Sequence, residues 1–340
     1  AGPACGAEGG AACEAPGATA SATSTAASEA DGPGLADFGG GLVHFVQIGL
    51  GTNTTFIQNF AGPSKDWSHT IDWLLTATSE RRRREVRGVG VEPVGHWCRM
   101  HEALASDLPN VWVVQAAIGD EDEDDVQLNL LEEEGVRRLA QAMEPSKASQ
   151  FEQDLVFLRN MSTVGSADHP ELQMMCDWAE ARHDVTLPFM VQRADVWSYG
   201  RLAKTLNFVG CEVLMVDAEG LDTRILASVL EHCAGEPEAW PELIQFETMG
   251  HCDAMGSKYS EWETIHALER AGYMLVGYSY RDTQLVRRDA LYREQRLREW
   301  AWRWRCDDCK ESWLFPYVTT YEGIHCRACL QLRIPRSPRW

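Results

Sequence analysis

The sequence predicts an α/β protein with a mostly parallel, doubly wound sheet, an antiparallel pair at the sheet edge, and a small C-terminal module. Three observations predict it. Along residues 42–290, short apolar runs that end in glycine or acid alternate with helical segments, as repeated strand–helix–strand units do. The last two of these runs are separated by a short connection only, which suits antiparallel neighbours. Two C-x-x-C pairs then fall within residues 291–340, a stretch too short to hold a core unaided.

Residues 1–41 are dominated by Ala, Gly, Ser and Thr, with neither an apolar signal core nor the Arg-rich character of a transit peptide. Such a composition buries too little surface to offset ordering entropy, so they read as a disordered tail or linker. The first strand is the run Leu42, Val43, His44, Phe45, Val46, Gln47, Ile48, broken at Gly49-Leu50-Gly51-Thr52-Asn53. Residues 59–66 read as a loop, and a helix over 67–79 ends in four arginines, Arg81 to Arg84, which suit the helix dipole.

A second strand over 86–91 ends at Glu92-Pro93, and a helix through Met100 and His101 reaches Asp107. A third strand over 111–117 closes at Gly119-Asp120. The acidic run over 120–125 reads as a solvated loop, opening an acidic, partly helical insertion over about 120–190. The alternation resumes with a helix over 195–206 and a strand over 213–216 that ends in Asp217-Ala218-Glu219-Gly220. A helix over 221–231, a strand over 243–246 ending at Glu247, and a helix over 260–271 follow. Runs over 273–278 and 283–286 make the edge pair.

The net charge of −20 is uneven: residues 281–340 hold 13 basic against 8 acidic side chains, and the remainder 18 against 43. A body that acidic is a poor wrapper of nucleic acid, whereas the C-terminal end has the charge for it. No run approaches ~18 apolar residues, so no membrane span is expected. Of eleven cysteines, the seven outside the two pairs are scattered. That pattern points to a reducing, intracellular compartment, cytoplasmic or organellar, rather than a secreted scaffold.

Three clusters fall beyond strand ends, where open α/β sheets bind ligands. Gly49 and Gly51 let backbone approach a ligand closely, and Asn53 is the non-glycine best suited to a left-handed turn. Glu92 ends a strand at a cleft surface, where a carboxylate can accept from a ribose diol and where its loss should hardly affect folding. Asp217 and Glu219 place two acids at the mouth of a central strand, and Glu247 repeats the device one strand later. Glu219 can alternatively cap the helix that follows it.

Gln47-Ile48-Gly49-Leu50-Gly51, Val91-Glu92-Pro93, Gln115-Ala116-Ala117-Ile118-Gly119 and Met215-Val216-Asp217-Ala218-Glu219-Gly220 occur in this order. With Asn160-Met161-Ser162-Thr163-Val164 and Ile244-Gln245-Phe246-Glu247, they resemble the FkbM-type methyltransferases over about residues 42–287. The resemblance implies a Rossmann-like methyltransferase sheet, S-adenosylmethionine as cofactor, and O-methylation of a small molecule or sugar. By position, Gln47, Gly49, Gly51 and Asn53 would lie at the cofactor's methionine end. Glu92 would hold the ribose hydroxyls, and the segment 115–120, Ala117 included, would flank the adenine. Asp217 and Glu219 would face the reacting end. Gln47 stands where an acid is common in the family and Asn53 where a third glycine is, which weakens the pull on the cofactor's ammonium group. Methyl transfer to a hydroxyl needs in-line positioning and a general base, for which Asp217, Glu219, Glu247 and His251 are the candidates.

Cys306-x-x-Cys309, sixteen residues, then Cys326-x-x-Cys329 is a four-thiolate zinc spacing with no open position, hence a structural Zn2+ site. Trp313, Phe315, Tyr317 and Tyr321 suit the strands of a zinc ribbon, which needs metal to fold. The approach, with Arg298, Trp300, Trp302, Arg303, Trp304 and Arg305, can dock onto the body or stack on nucleic-acid bases. Two alternatives to a small-molecule enzyme therefore stand. One is a catalytically inactive interaction protein; the other is a methyltransferase whose ribbon recruits RNA or protein.

Overall fold

The computed structural model describes residues 37–51, 87–108, 110–143, 155, 158, 162–164, 170–248, 250–254, 260–278, 282–293, 317–320 and 323–326. β1 (Gly41–Ile48), β2 (Gly88–Val91), α1 (Gly95–Ala105) and β3 (Val111–Val114) come first. β4 (Ala117–Gly119), β5 (Glu123–Leu131), α2 (Glu133–Ala142), β6 (Ser162–Val164), α3 (Pro170–His183) and β7 (Phe189–Ser198) follow. Next are α4 (Tyr199–Thr205), β8 (Phe208–Val216), α5 (Asp222–Ala234), β9 (Leu243–Glu247), α6 (His251–Ala254) and α7 (Glu261–Arg270). β10 (Tyr273–Tyr278), β11 (Asp282–Arg287) and α8 (Arg288–Arg293) precede a hairpin of β12 (Tyr317–Thr320) and β13 (Gly323–Cys326).

Seven strands form one sheet in the order β10-β11-β9-β8-β1-β2-β3. β1, β2, β3, β8 and β9 run parallel, and β11 is antiparallel to both its neighbours, β9 and β10. The expected α/β class, mostly parallel sheet and antiparallel edge pair are therefore present. From β1 the chain builds outward to β3, then returns to β8 on the other side of β1 and builds the opposite way.

Central parallel strands are covered on both faces and so read as continuous apolar runs. β1 obeys this: Val43, Phe45, Val46 and Ile48 are all buried. Val46, Ile48, Leu214 and Val216 pack in one cluster with Ile225, Leu226 and Val229 of α5. Across the other neighbour, a Cβ on Gly88 would stand 1.9 Å from the Phe45 ring. Glycine in β2 is what lets that ring lie across the strand.

Five expectations are corrected. The run 111–117 is not one strand: β3 stops at Val114, and β4 leaves the large sheet to pair with β7. The insertion over about 120–190 carries a second sheet of order β4-β7-β5-β6, with α2 and α3 beside it. The acidic run is the reason it was missed. Beyond Asp125, Val126, Leu128 and Leu130 alternate with Gln127 and Asn129, and Leu128 and Leu130 bury against Val94 and Trp97. Glu123, Asp124 and Asp125 open this strand with their side chains exposed, rather than sitting in a loop.

The helix expected over 195–206 begins only at Tyr199. Ser198 ends β7 and caps α4, its hydroxyl accepting the Arg201 N–H at 3.1 Å. The loop over 59–66 and the helix over 67–79 lie outside the described residues, as do residues 1–36 of the tail expected over 1–41. The last residues of that stretch are not a disordered tail, since Phe38 packs into the main core and Gly41 opens β1. Among the described residues, no helix is long and apolar enough to cross a membrane, and Cys98, Cys176, Cys211, Cys233 and Cys252 are free thiols.

Candidate functional site

β1 and β8 are neighbours whose outgoing chains part in opposite directions, and ligands of open α/β sheets bind beyond the carboxyl ends at such a point. A cleft opens there, enclosing about 790 Å³ with its solvent-open mouth. Hydrogen bonds knit the strand ends that floor it. Gly49 N–H donates to the Val91 carbonyl at 3.0 Å, Glu92 N–H to that of Val114 at 3.0 Å, and Asp217 N–H to that of Ile48 at 2.9 Å.

Gly49 is where the floor is tightest. Its φ is +82°, and an added Cβ would stand 1.8 Å from the Asp217 carbonyl oxygen. Beyond it, the Gly51 peptide is held from both sides. Glu92 Oε2 accepts from the N–H groups of Leu50 (3.1 Å) and Gly51 (2.8 Å). His101, fully buried on α1, meets the Gly51 carbonyl through Nε2 at 2.9 Å. A carbonyl only accepts, so Nε2 carries the proton. Burial holds His101 below its usual pKa, in keeping with a neutral ring.

Glu92 corrects the expectation of an exposed strand-end acid. It is 1% exposed, and its Oε1 accepts a third backbone bond from Val94 N–H at 2.9 Å, at the start of α1. Burial raises its carboxyl to about 7, with the three N–H donors working in the opposite sense. It still borders the cleft, but it fastens the glycine loop of β1 to α1.

On the opposite bank, β8 ends at Val216 and the chain turns sharply. Glu219 has φ +48° and Gly220 +98°. Strand geometry stops before Asp217, and a left-handed turn brings both Asp217 and Glu219 to the cleft. Glu219 is not the N-cap residue of α5, a position that Leu221 holds.

Asp217 is open to the cleft yet surrounded by protein. Desolvation, then the charges of Glu219, Glu247, Asp222 and Asp282, push its carboxyl well above the ordinary range. The lining is mixed: Trp97, Ala116, Ala117, Ile118 and Ile225 contribute apolar side chains, and Asp217, Glu219 and Glu92 contribute carboxyls. Gly49 and Gly51 follow β1, the strand between β8 and β2.

The remaining predicted residues divide. Ala117 borders the cleft, whereas Glu247, the last residue of β9, and Gln47 do not. Gln47 is 6% exposed and donates its amide to the Gly49 carbonyl at 3.3 Å. His251 opens α6. Asn53, Cys306, Cys309 and Cys329 lie outside the described residues, and Cys326 ends β13. Among the described residues, no group of three or more His, Cys, Asp or Glu side chains is placed to hold a metal.

Sequence reasoning missed His101, Trp97 and Asp222. Each sits inside an ordinary helical pattern, where a histidine, a tryptophan or a first-turn acid has a routine explanation. It also missed that Arg224 grips Asp120, at 2.5 and 2.9 Å. No family model, curated protein or solved structure matches the chain.

Proposed function

We propose that this chain is an S-adenosylmethionine-dependent methyltransferase acting on a hydroxyl of a small molecule or sugar, with one structural zinc in its C-terminal module. The observation that carries the reading is the mixed lining of the cleft at the β1/β8 switch point. A flat base suits its apolar side chains, Trp97, Ala117 and Ile118 among them, and a cationic sulfonium suits its carboxylates Asp217 and Glu219. The fit has a steric side as well. Glycine at position 49 lets the end of β1 lie directly against the Asp217 backbone, where an added Cβ would stand 1.8 Å from the carbonyl oxygen. A mostly parallel sheet with an antiparallel strand at its far edge also accords with the family resemblance.

The bound cofactor would supply an activated methyl group. Asp217, at the mouth of β8 and on the cleft, takes the acceptor's proton. Glu92 retains about one of its four acceptor positions for a ribose hydroxyl, the other three being filled. Calorimetric titration of the full chain with S-adenosylmethionine tests the reading, and absence of binding at millimolar cofactor would sink it.

One observation favours a second reading, an inactive protein that keeps the fold. Gln47 brings no charge to the cofactor's ammonium end and spends its amide on Gly49. Binding without turnover on any hydroxyl acceptor would select it.

A further inference from the structure

Asp222 stands in the first turn of α5, is fully buried, and does not border the cleft. A carboxyl taken out of water needs donors, and its two oxygens find them on different strands. Oδ2 accepts from Ala218 N–H at 3.3 Å, and Oδ1 from Glu247 N–H at 3.2 Å. Ala218 lies between Asp217 and Glu219, just past β8. Glu247 ends β9. Two acid-bearing segments from neighbouring strands thus hang on one side chain that belongs to neither.

Electrostatics alone would not put Asp222 there. Asp217, Glu219, Glu247 and Asp282 already crowd one another, and a further carboxylate adds to the repulsion. Burial, then Glu247, raise its carboxyl to about 7, so the residue is retained against an electrostatic penalty. Its geometry supplies the reason. A carboxylate offers two acceptor oxygens back to back, whereas an amide offers one acceptor and one donor, and its NH2 cannot receive an N–H.

We propose that Asp222 is the positioning residue of this site, a tether that sets the turn after β8 against the end of β9 so that Asp217, Glu219 and Glu247 act as one group. The effect on turnover rests on the methyltransferase reading; the tether itself does not.

The test compares the full chain with Asp222→Asn and Asp222→Glu, the second keeping charge but lengthening the reach. Residue-resolved amide exchange should rise about tenfold or more in Asp222→Asn at whichever of Ala218 and Glu247 loses its acceptor to the amide's NH2, while Ile48 and Leu214 stay protected. Turnover should fall at least about 100-fold in both variants, with S-adenosylmethionine affinity kept within about threefold. Unchanged exchange at both amides overturns the tether. Full turnover in Asp222→Asn overturns the positioning role, as does a loss of affinity and melting temperature in step with turnover. A wild type that binds no S-adenosylmethionine refutes the methyltransferase reading instead, and the exchange data still decide the tether. If neither variant folds, wild-type exchange under mild denaturant decides: Ala218 and Glu247 should open at one common free energy, and separate openings overturn the proposal.

Discussion

The carbonyl oxygen of Asp217 occupies the space that a side chain on Gly49 would need, 1.8 Å from an added Cβ. The two residues come from adjacent parallel strands, joined by the Asp217 N–H bond to Ile48. Neither can move without parting the floor of the cleft. Gly49→Ala is doubly penalised, by that overlap and by φ +82°, and should destabilise the fold by about 3 kcal/mol or more. Denaturant unfolding against the wild type measures it. An unchanged midpoint would show that the strand ends are looser than drawn.

Glu92 should behave as a structural fastener with a titratable signature. Glu92→Ala strands three backbone N–H groups and should cost about 3 kcal/mol or more, with Glu92→Gln intermediate because an amide keeps one acceptor. Burial pushes the carboxyls of Glu92 and Asp222 up to about 7 in the folded chain, from ordinary values of 4.5 and 3.8. The folded state therefore holds protons that the unfolded chain has released. Their contribution is complete below about pH 4 and is lost as pH rises through 7, by roughly 3–4 kcal/mol each. Melting temperature should be higher at pH 5.5 than at pH 8, and the difference smaller in Glu92→Gln.

Asp217→Asn and Glu219→Gln keep shape and remove charge. Carboxylates there favour the cationic cofactor more than the neutralising transition state, so one of them must instead orient or deprotonate the acceptor hydroxyl, and each substitution should abolish turnover with modest loss of cofactor affinity. Activity, calorimetry and melting curves run together decide the matter. A large fall in melting temperature matched by lost affinity would make the pair structural, and Asp217 would no longer be the base.

Metal analysis of protein purified without chelators should find one zinc per chain. Cys306→Ser or Cys329→Ser should unfold the segment after about Trp300 and leave the body intact. Protease protection of residues 37–293 in these variants would separate the two outcomes. A metal-free protein with an oxidised Cys306–Cys309 pair would refute the site.

The large sheet was legible because its strands are apolar on both faces and end in punctuation: β1 before Gly49, β2 before Glu92, β8 before Asp217, β9 at Glu247. The second sheet was not, since its strands are half-exposed and begin in a run of acids, so hydropathy averaged over the segment hides the alternation at Val126, Leu128 and Leu130. At the site, the bordering glycines and acids stood out by type and place. What they bond to did not. Whether Glu92 faces a ligand or fastens Gly51 depends on a loop closing over 41 residues of sequence, and nothing local in Val91-Glu92-Pro93 distinguishes the two. Asp222 was hidden for the same reason, its partners lying on two different strands.

The pairing of β1 with β8 joins Ile48 to Val216, and it has a kinetic consequence. That seam is the floor of the cleft, and its halves are separated in sequence by the whole second sheet. Closing so long a loop is entropically slow, and contacts of high sequence separation are gained late in folding. β1, β2 and β3, and likewise β8, β9 and α5, can each assemble from nearby chain before the two halves meet. The binding cleft comes into being only when they do. A ligand bridging Gly49 and Asp217 would thus act as a clasp on the last-formed seam, slowing its opening more than it speeds its assembly.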